Sequence, residues 1–341
     1  MNERLTGTQA AAKHVDLLRR FTATPLAVSV KLMGRNLRLE TNCDRVFSRV
    51  VRLFERYPRV DSGPCHFLWR IVSDKSSGLR PPWPEMIGFS CPGLRYVNLG
   101  QRSFFAVDIE AREAIAFISE ELVQDGPGFS SVFLATLFDL TTGALDLVPI
   151  SAACVAQSSK ALLVFGSPRS GKTTSSYYAS QMGFKVHADQ ASYAERAGRT
   201  VRIWGQFWPA AFRRETARYL PEIGLRGRPF TYGRSTFLCF ETPQYRLPEA
   251  HSATAAACVF LERERLGKPR LRRLTAGELG AQLRKTPPLR DDACFEVNRA
   301  AVLKRLARLP SYQLRYGKNP KDAAQMYCEL LTAHASLEDG V

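Results

Sequence analysis

Paired cysteines are missing from this chain. Its eight cysteines (Cys43, Cys65, Cys91, Cys154, Cys239, Cys258, Cys294 and Cys328) are scattered without one CxxC spacing. That excludes the usual zinc ribbon and redox motif and argues against a disulfide framework. They read as small buried hydrophobes in a reducing compartment. The five histidines show no ligand spacing either. No uninterrupted apolar run approaches the roughly 18–20 residues that a membrane span needs. The first twenty residues, MNERLTGTQAAAKHVDLLRR, carry charges throughout and lack the apolar core of a secretion signal. No membrane association is expected, and the expected location is the cytoplasm. Internal repeats and low-complexity tracts are absent as well.

What is present is a chain of 341 residues, 45% hydrophobic, enough for one large domain or two of ordinary size with a substantial core. The formal charge is +16 and is unevenly spread: residues 1–150 hold 18 Lys/Arg against 16 Asp/Glu, leaving a net of +14 for residues 151–341. Any anionic partner is therefore expected to meet the second half. Between 262 and 321 there are 16 Lys/Arg against 6 Asp/Glu. The readings are a solvated basic face, then a surface for an acidic protein, peptide or phosphorylated substrate. Nucleic acid comes last, because no recognition motif accompanies the charge and Asp291 and Asp292 interrupt it.

Residues 1–148 read as an α+β region without a chemical motif. LAVSVKLMGRNLRLETN (26–42) alternates about a Gly-Arg-Asn turn and predicts two strands. The spacing of Val46, Phe47, Val50, Leu53 and Phe54 predicts a helix over 44–57. CHFLWRIVS (65–73) reads as a strand, SGLRPPWPEM (77–86) as an exposed proline-rich loop, 93–118 as three short strands, and 129–142 as a buried helix. Residues 149–341 follow a different pattern. ISAACVA (150–156) and ALLVF (161–165) should pair as a hairpin, KTTSSYYASQM (172–182) should be a helix stopped by Gly183, and FKVHAD (184–189) a strand ending in an acid. Strand, loop, helix and strand in this order form the phosphate-binding unit of an α/β core.

The loop of that unit is Gly166-Ser167-Pro168-Arg169-Ser170-Gly171-Lys172-Thr173, a match to GxxxxGK[ST] without a deviation. Average residue frequencies give the pattern in roughly one chain in a hundred of this length, and its position after a strand and before a helix sharpens it. The two glycines let successive N–H groups turn toward phosphate oxygens, and the helix N-terminus adds positive potential. The stretch Gly166 to Thr174 is the expected site of ATP. Lys172 is expected to reach the β- and γ-phosphates, and Thr173 with Asp189 to hold Mg2+. Asp189 lies 17 residues after Lys172, at the end of the next strand.

That close spacing of loop and acid resembles the HPr kinase/phosphorylase-like family of P-loop serine kinases, whose core is related to that of phosphoenolpyruvate carboxykinase. FWPAAFRRETARYLPEI (207–223) resembles the family's segment after the acidic strand, a proline-containing turn leading into a helix. YGRSTF (232–237) resembles its basic element, AACVFLERER (256–265) a late core strand, and LPSYQLRYGKNPKDAAQMYCELL (309–331) its C-terminal strand and helix. The resemblance implies an α/β P-loop kinase core that moves the γ-phosphate of Mg-ATP to a hydroxyl of a protein, a peptide or a small molecule. In that role Arg234 would steady the transferred group, and a homo-oligomer is implied because HPr kinases are oligomers.

The chain departs from the family at several positions. Ser151 stands where the family has a histidine, Gln190 follows Asp189 where the family has a second acid, and Gln206 and Trp208 occupy a segment that is arginine-rich in relatives. An amide cannot accept a proton at neutral pH. A degenerate kinase that binds nucleotide without turnover is therefore the alternative function. His187, two residues before Asp189 and on the same strand face by alternation, could assist at the site. Glu195 and Glu215 are candidates to replace the missing acid.

Overall fold

The computed structural model describes residues 22–74, 81–91, 93–99, 103–240, 252–264, 267–285 and 293–336. The first twenty residues, 77–80 of the proline-rich stretch, and Asp291 with Asp292 lie outside these. The architecture is mixed α/β, built on two large sheets and one small one.

The first sheet takes its strands from the first 119 residues. Strands β1 (Leu26–Leu32) and β2 (Arg35–Thr41) form a hairpin, and α1 (Asp44–Leu53) buries Val46 and Val50 against it. The hairpin turns at Met33 and Gly34, with φ of +49° and +77°, one residue earlier than expected, so that Arg35 and Asn36 belong to β2. Two consecutive positive φ values match the twist of the flanking strands. Then come β3 (Phe67–Asp74), β4 (Ile87–Cys91), β5 (Leu94–Leu99), β6 (Ser103–Asp108) and β7 (Glu113–Ser119), in the order β1-β2-β3-β7-β6-β5-β4. β4 had no forecast: all five of its residues are exposed, so it carries no alternation to read. After the short α2 (Glu120–Gln124) the chain continues through α3 (Gly126–Gly128), a π-helical stretch (Phe129–Leu134), α4 (Ala135–Thr141) and a 3-10 turn to Leu145.

This run, Gly126–Leu145, is long and apolar enough to cross a bilayer, contrary to the expectation that no stretch would be. The fold buries 72% of its apolar window. It is the central helix of a core holding Trp69, Phe105, Phe129, Phe133 and Phe138. The same core takes Tyr193, Phe207 and Trp208 from the second half. Trp83 is also buried, at 1% exposure, within a proline-rich segment whose Pro81, Pro82 and Glu85 are exposed, as its composition suggested.

The second sheet comprises β8 (Val148–Ile150), β9 (Ala153–Gln157), β10 (Lys160–Phe165), β11 (Lys185–Ala188), β12 (Ser192–Ala197), β13 (Thr200–Trp204), and, later in the chain, β17 (Ser252–Arg263), β18 (Arg270–Arg273) and β19 (Ser311–Tyr316). Its order is β11-β9-β10-β17-β13-β12-β8. β9 and β10 pair antiparallel as the hairpin expected from the sequence, although the first strand starts at Ala153. β17 runs parallel to both β10 and β19. Its length lets it pair with β13 near its start and with β19 near its end. Helices cover both faces. α5 (Lys172–Gln181) and α9 (Pro320–Ser336) share a core through Ala179, Ala323, Ala324 and Tyr327. On the other face lie α7 (Ala276–Lys285) and α8 (Ala293–Leu306).

A three-stranded sheet, β14 (Ala210–Arg213), β15 (Arg228–Tyr232) and β16 (Ser235–Phe240), packs on α5 through Tyr177, whose ring meets Phe212 and Phe240 edge-on. Here a helix was expected after the proline turn. The chain instead forms β14, a 3-10 turn (Arg214–Arg218) and the short α6 (Pro221–Arg226). Apolar residues at 210 and 212 alternate with half-buried ones at 211 and 213, which suits a strand and not a helix.

Candidate functional site

β10 ends at Phe165 and α5 begins at Lys172, so the six residues between them form the loop. Arg169 and Gly171 have positive φ, +68° and +98°. Both glycines are required by their surroundings. A Cβ on Gly166 would stand 2.5 Å from the Ser170 Oγ and 2.9 Å from the Leu261 carbonyl oxygen, and one on Gly171 would stand 2.0 Å from the Tyr316 Oη. Ser167, Pro168 and Arg169 are exposed, while Ser170 is buried and its Oγ has no hydrogen-bond partner. Gly166, Gly171, Lys172, Thr173 and Thr174 are half-buried.

Lys172 lies across its own loop. Its ammonium donates to the Gly166 carbonyl at 2.6 Å and to that of Ser167 at 3.2 Å. Burial pushes its pKa down, and the Asp189 charge works the other way. Asp189 follows directly on β11 and is fully buried. Burial raises its pKa to about 6; Thr173, Gln206 and Lys172 act in the opposite direction without cancelling it. Neither carboxylate oxygen makes a hydrogen bond of full geometry, although the Thr173 and Gln206 side chains come close enough to lower the pKa. A fully buried carboxylate left in this state costs folding free energy. It is, however, a suitable ligand for a hard divalent cation that brings its own charge. Among the described residues no three His, Cys, Asp or Glu side chains cluster, so such a cation would complete its shell from Thr173, phosphate oxygens and water.

The fold thus brings Lys172, Thr173 and Asp189 together at the loop. No contact among the described residues joins Arg234 to these three. It is exposed, at the turn between β15 and β16, and makes no hydrogen bond or ion pair among the described residues. The adjoining Gly233 donates to the Trp83 carbonyl at 2.8 Å, and the Tyr232 hydroxyl accepts from the Met86 N–H at 3.0 Å. Ser151 lies in the half-buried break between β8 and β9. Glu195 is engaged by Arg35 and Arg202, and Glu215 is exposed in the 3-10 turn, so Glu195 at least is not available as a substitute acid. The alternation argument for His187 fails: the pairing of β11 with β9 shifts register between Val186 and Ala188, and Asp189 lies past the strand.

Two residues outside the expected set complete the site. The Gln206 Oε1 accepts from the Asp189 N–H at 3.2 Å and the Gln190 N–H at 3.4 Å, while its Nε2 donates to the Trp208 carbonyl at 3.3 Å. It therefore fixes the backbone that carries the acid. Tyr316, at the end of β19, donates to the Ser170 carbonyl at 2.7 Å and supports the loop from beneath. No sequence signal marks Tyr316, which is 146 residues from its partner. Gln190, for its part, donates its Nε2 to the Ala211 carbonyl at 3.2 Å.

The basic region is partly neutralised. Arg272 pairs with Glu278, and Arg315 with Glu262 and Glu264.

No family model matches the chain, and no curated protein matches it. Among solved structures it is similar to the HPr(Ser) kinase/phosphatase from Coxiella burnetii, with 7% sequence identity and a TM-score of 0.29, over 57% of this chain and 99% of that one. A likeness of that size carries no argument about activity.

Proposed function

We propose that this protein binds Mg-ATP at Gly166–Thr174 and transfers its γ-phosphate to a hydroxyl, of a serine in a protein or peptide or of a small molecule, in the cytoplasm. The observation that carries this reading is the meeting of a complete GxxxxGK[ST] loop with a fully buried carboxylate beside its lysine and threonine.

In this assignment the loop N–H groups and the N-terminus of α5 hold the phosphates. Lys172 exchanges the Gly166 and Ser167 carbonyls for phosphate oxygens. Thr173 and Asp189 would hold the magnesium ion, which supplies neutralisation of charge on the phosphates. Gln206 keeps the Asp189 backbone fixed while this happens. Arg234, exposed at its hairpin tip, keeps the role the resemblance gives it, steadying the transferred group. Transfer of a phosphoryl group rests mostly on positioning and charge stabilisation, so a missing base slows it without forbidding it.

A second reading, binding without turnover, is favoured by one observation: the side chain next to Asp189 is the amide of Gln190, occupied with the Ala211 carbonyl. Incubation with γ-labelled Mg-ATP and an extract of the source cells separates the two. Label that moves to a product only when Lys172 is present supports the kinase. ATP binding that depends on Lys172, with no label transferred, supports the second reading.

A further inference from the structure

The loop has a metal side and an opposite side. Across the sheet the order β11-β9-β10-β17 places Asp189, just beyond β11, on one flank of the loop and the end of β17 on the other. β17 overruns β10: Phe260 pairs with Phe165, and three more residues bring the strand to Arg263 beside the loop. Arg263 pairs in register with Tyr316, whose hydroxyl holds the Ser170 carbonyl. Ligands of open α/β sheets bind at these carboxyl ends of parallel strands.

At this end stands Tyr219. Its carbonyl accepts from the Tyr178 hydroxyl on α5 at 3.1 Å. Arg263, which donates to the Lys318 carbonyl at 3.5 Å, lies close enough to the Tyr219 hydroxyl to pull its pKa down. The Arg218 guanidinium carbon lies 4.6 Å from the centroid of its ring. The side chain is nevertheless 37% exposed. Among the described residues neither Arg218 nor Arg263 forms an ion pair, whereas Arg202, Arg272 and Arg315 each meet a glutamate. An aromatic ring on a backbone anchored to α5, with one guanidinium over its face and a second near its hydroxyl, is preorganised for a second planar group.

We propose that Tyr219, flanked by Arg218 and Arg263, is the stacking surface for the base of the nucleotide whose phosphates occupy the loop. This rests on the nucleotide reading above. It lays the nucleotide across the sheet end with its terminal phosphate toward Asp189 and its base toward β17. Stacking uses a face that every base has, so adenine and guanine are discriminated weakly.

The test is calorimetric titration of Mg-ATP, Mg-GTP and Mg-tripolyphosphate into the natural protein, Tyr219→Ala, Tyr219→Phe and Lys172→Ala. Tyr219→Ala should weaken both nucleotides about tenfold and leave tripolyphosphate unchanged. Tyr219→Phe should keep most of the nucleotide affinity, and Lys172→Ala should weaken all three ligands. Loss of tripolyphosphate together with the nucleotides in Tyr219→Ala would overturn the proposal and make the cluster an anion site. Unchanged ATP affinity in that variant would overturn it as well. If the natural protein bound tripolyphosphate but no nucleotide more tightly, the phosphate loop would stand and the base platform would fall. If it bound none of the three, both would fall.

Discussion

Tyr316 donates its hydroxyl hydrogen to the Ser170 carbonyl at 2.7 Å, and the same oxygen stands where a Cβ on Gly171 would have to go. The last strand of the sheet thus sets the shape of a loop 146 residues earlier.

This contact predicts coupling between the two positions. Gly171→Ala should destabilise the protein by about 1–3 kcal/mol, from the positive φ and the collision together. In a Tyr316→Phe background the 2.0 Å collision is relieved, and the φ strain and a 3.2 Å approach to the ring remain. A double-mutant cycle on denaturant midpoints should return a coupling of about 1 kcal/mol or more. Strict additivity would show that the hydroxyl does not shape the loop.

Asp189 makes the free protein sensitive to pH. Its folded pKa of about 6 lies above the ordinary 3.8, so the folded state holds the proton more tightly than the unfolded state does. The group's favourable contribution is complete below the unfolded value and is lost as pH rises through about 6. Asp189→Asn removes the penalty at neutral pH. It should stabilise the nucleotide-free protein at pH 7.5 by on the order of 1–3 kcal/mol, with the advantage disappearing near pH 4. The same variant should lose the magnesium dependence of nucleotide binding. Thermal melts across this pH range, with and without Mg-ATP, check both outcomes.

Gln190 bears on turnover and not on binding. If deprotonation of the acceptor limits the natural protein, Gln190→Asp should raise the rate of γ-phosphate transfer by roughly a hundredfold while changing ATP affinity little. A rate unchanged in this variant would show that the residue after Asp189 has no part in moving the proton.

The phosphate loop was legible because its information is local: a strand, two glycines, a lysine and a helix lie within about twenty residues, and the fold assembles them as read. The hairpin of β9 and β10 and the late strands were legible for the same reason. Two features were not. β4 is exposed on both faces and leaves no periodic trace. Trp83 sits among prolines that signal a loop, yet its burial depends on the small sheet 150 residues later, where its amide donates to the Thr231 carbonyl. For Trp83 the deciding contact is distant in sequence, and composition near the residue points elsewhere. Gln206 shows the reverse: its identity looked like a loss, and its contacts give it the task of holding Asp189 in place.

The most direct test of the account is calorimetric titration of ATP into the purified protein in the presence of magnesium, repeated with Lys172→Ala and with a chelator. The account predicts saturable binding at one site per chain, weakened about ten- to a hundredfold by loss of the charge-assisted contacts of Lys172 and strongly reduced without magnesium. Binding that was indifferent to Lys172 and to the metal, or no binding at all, would contradict it.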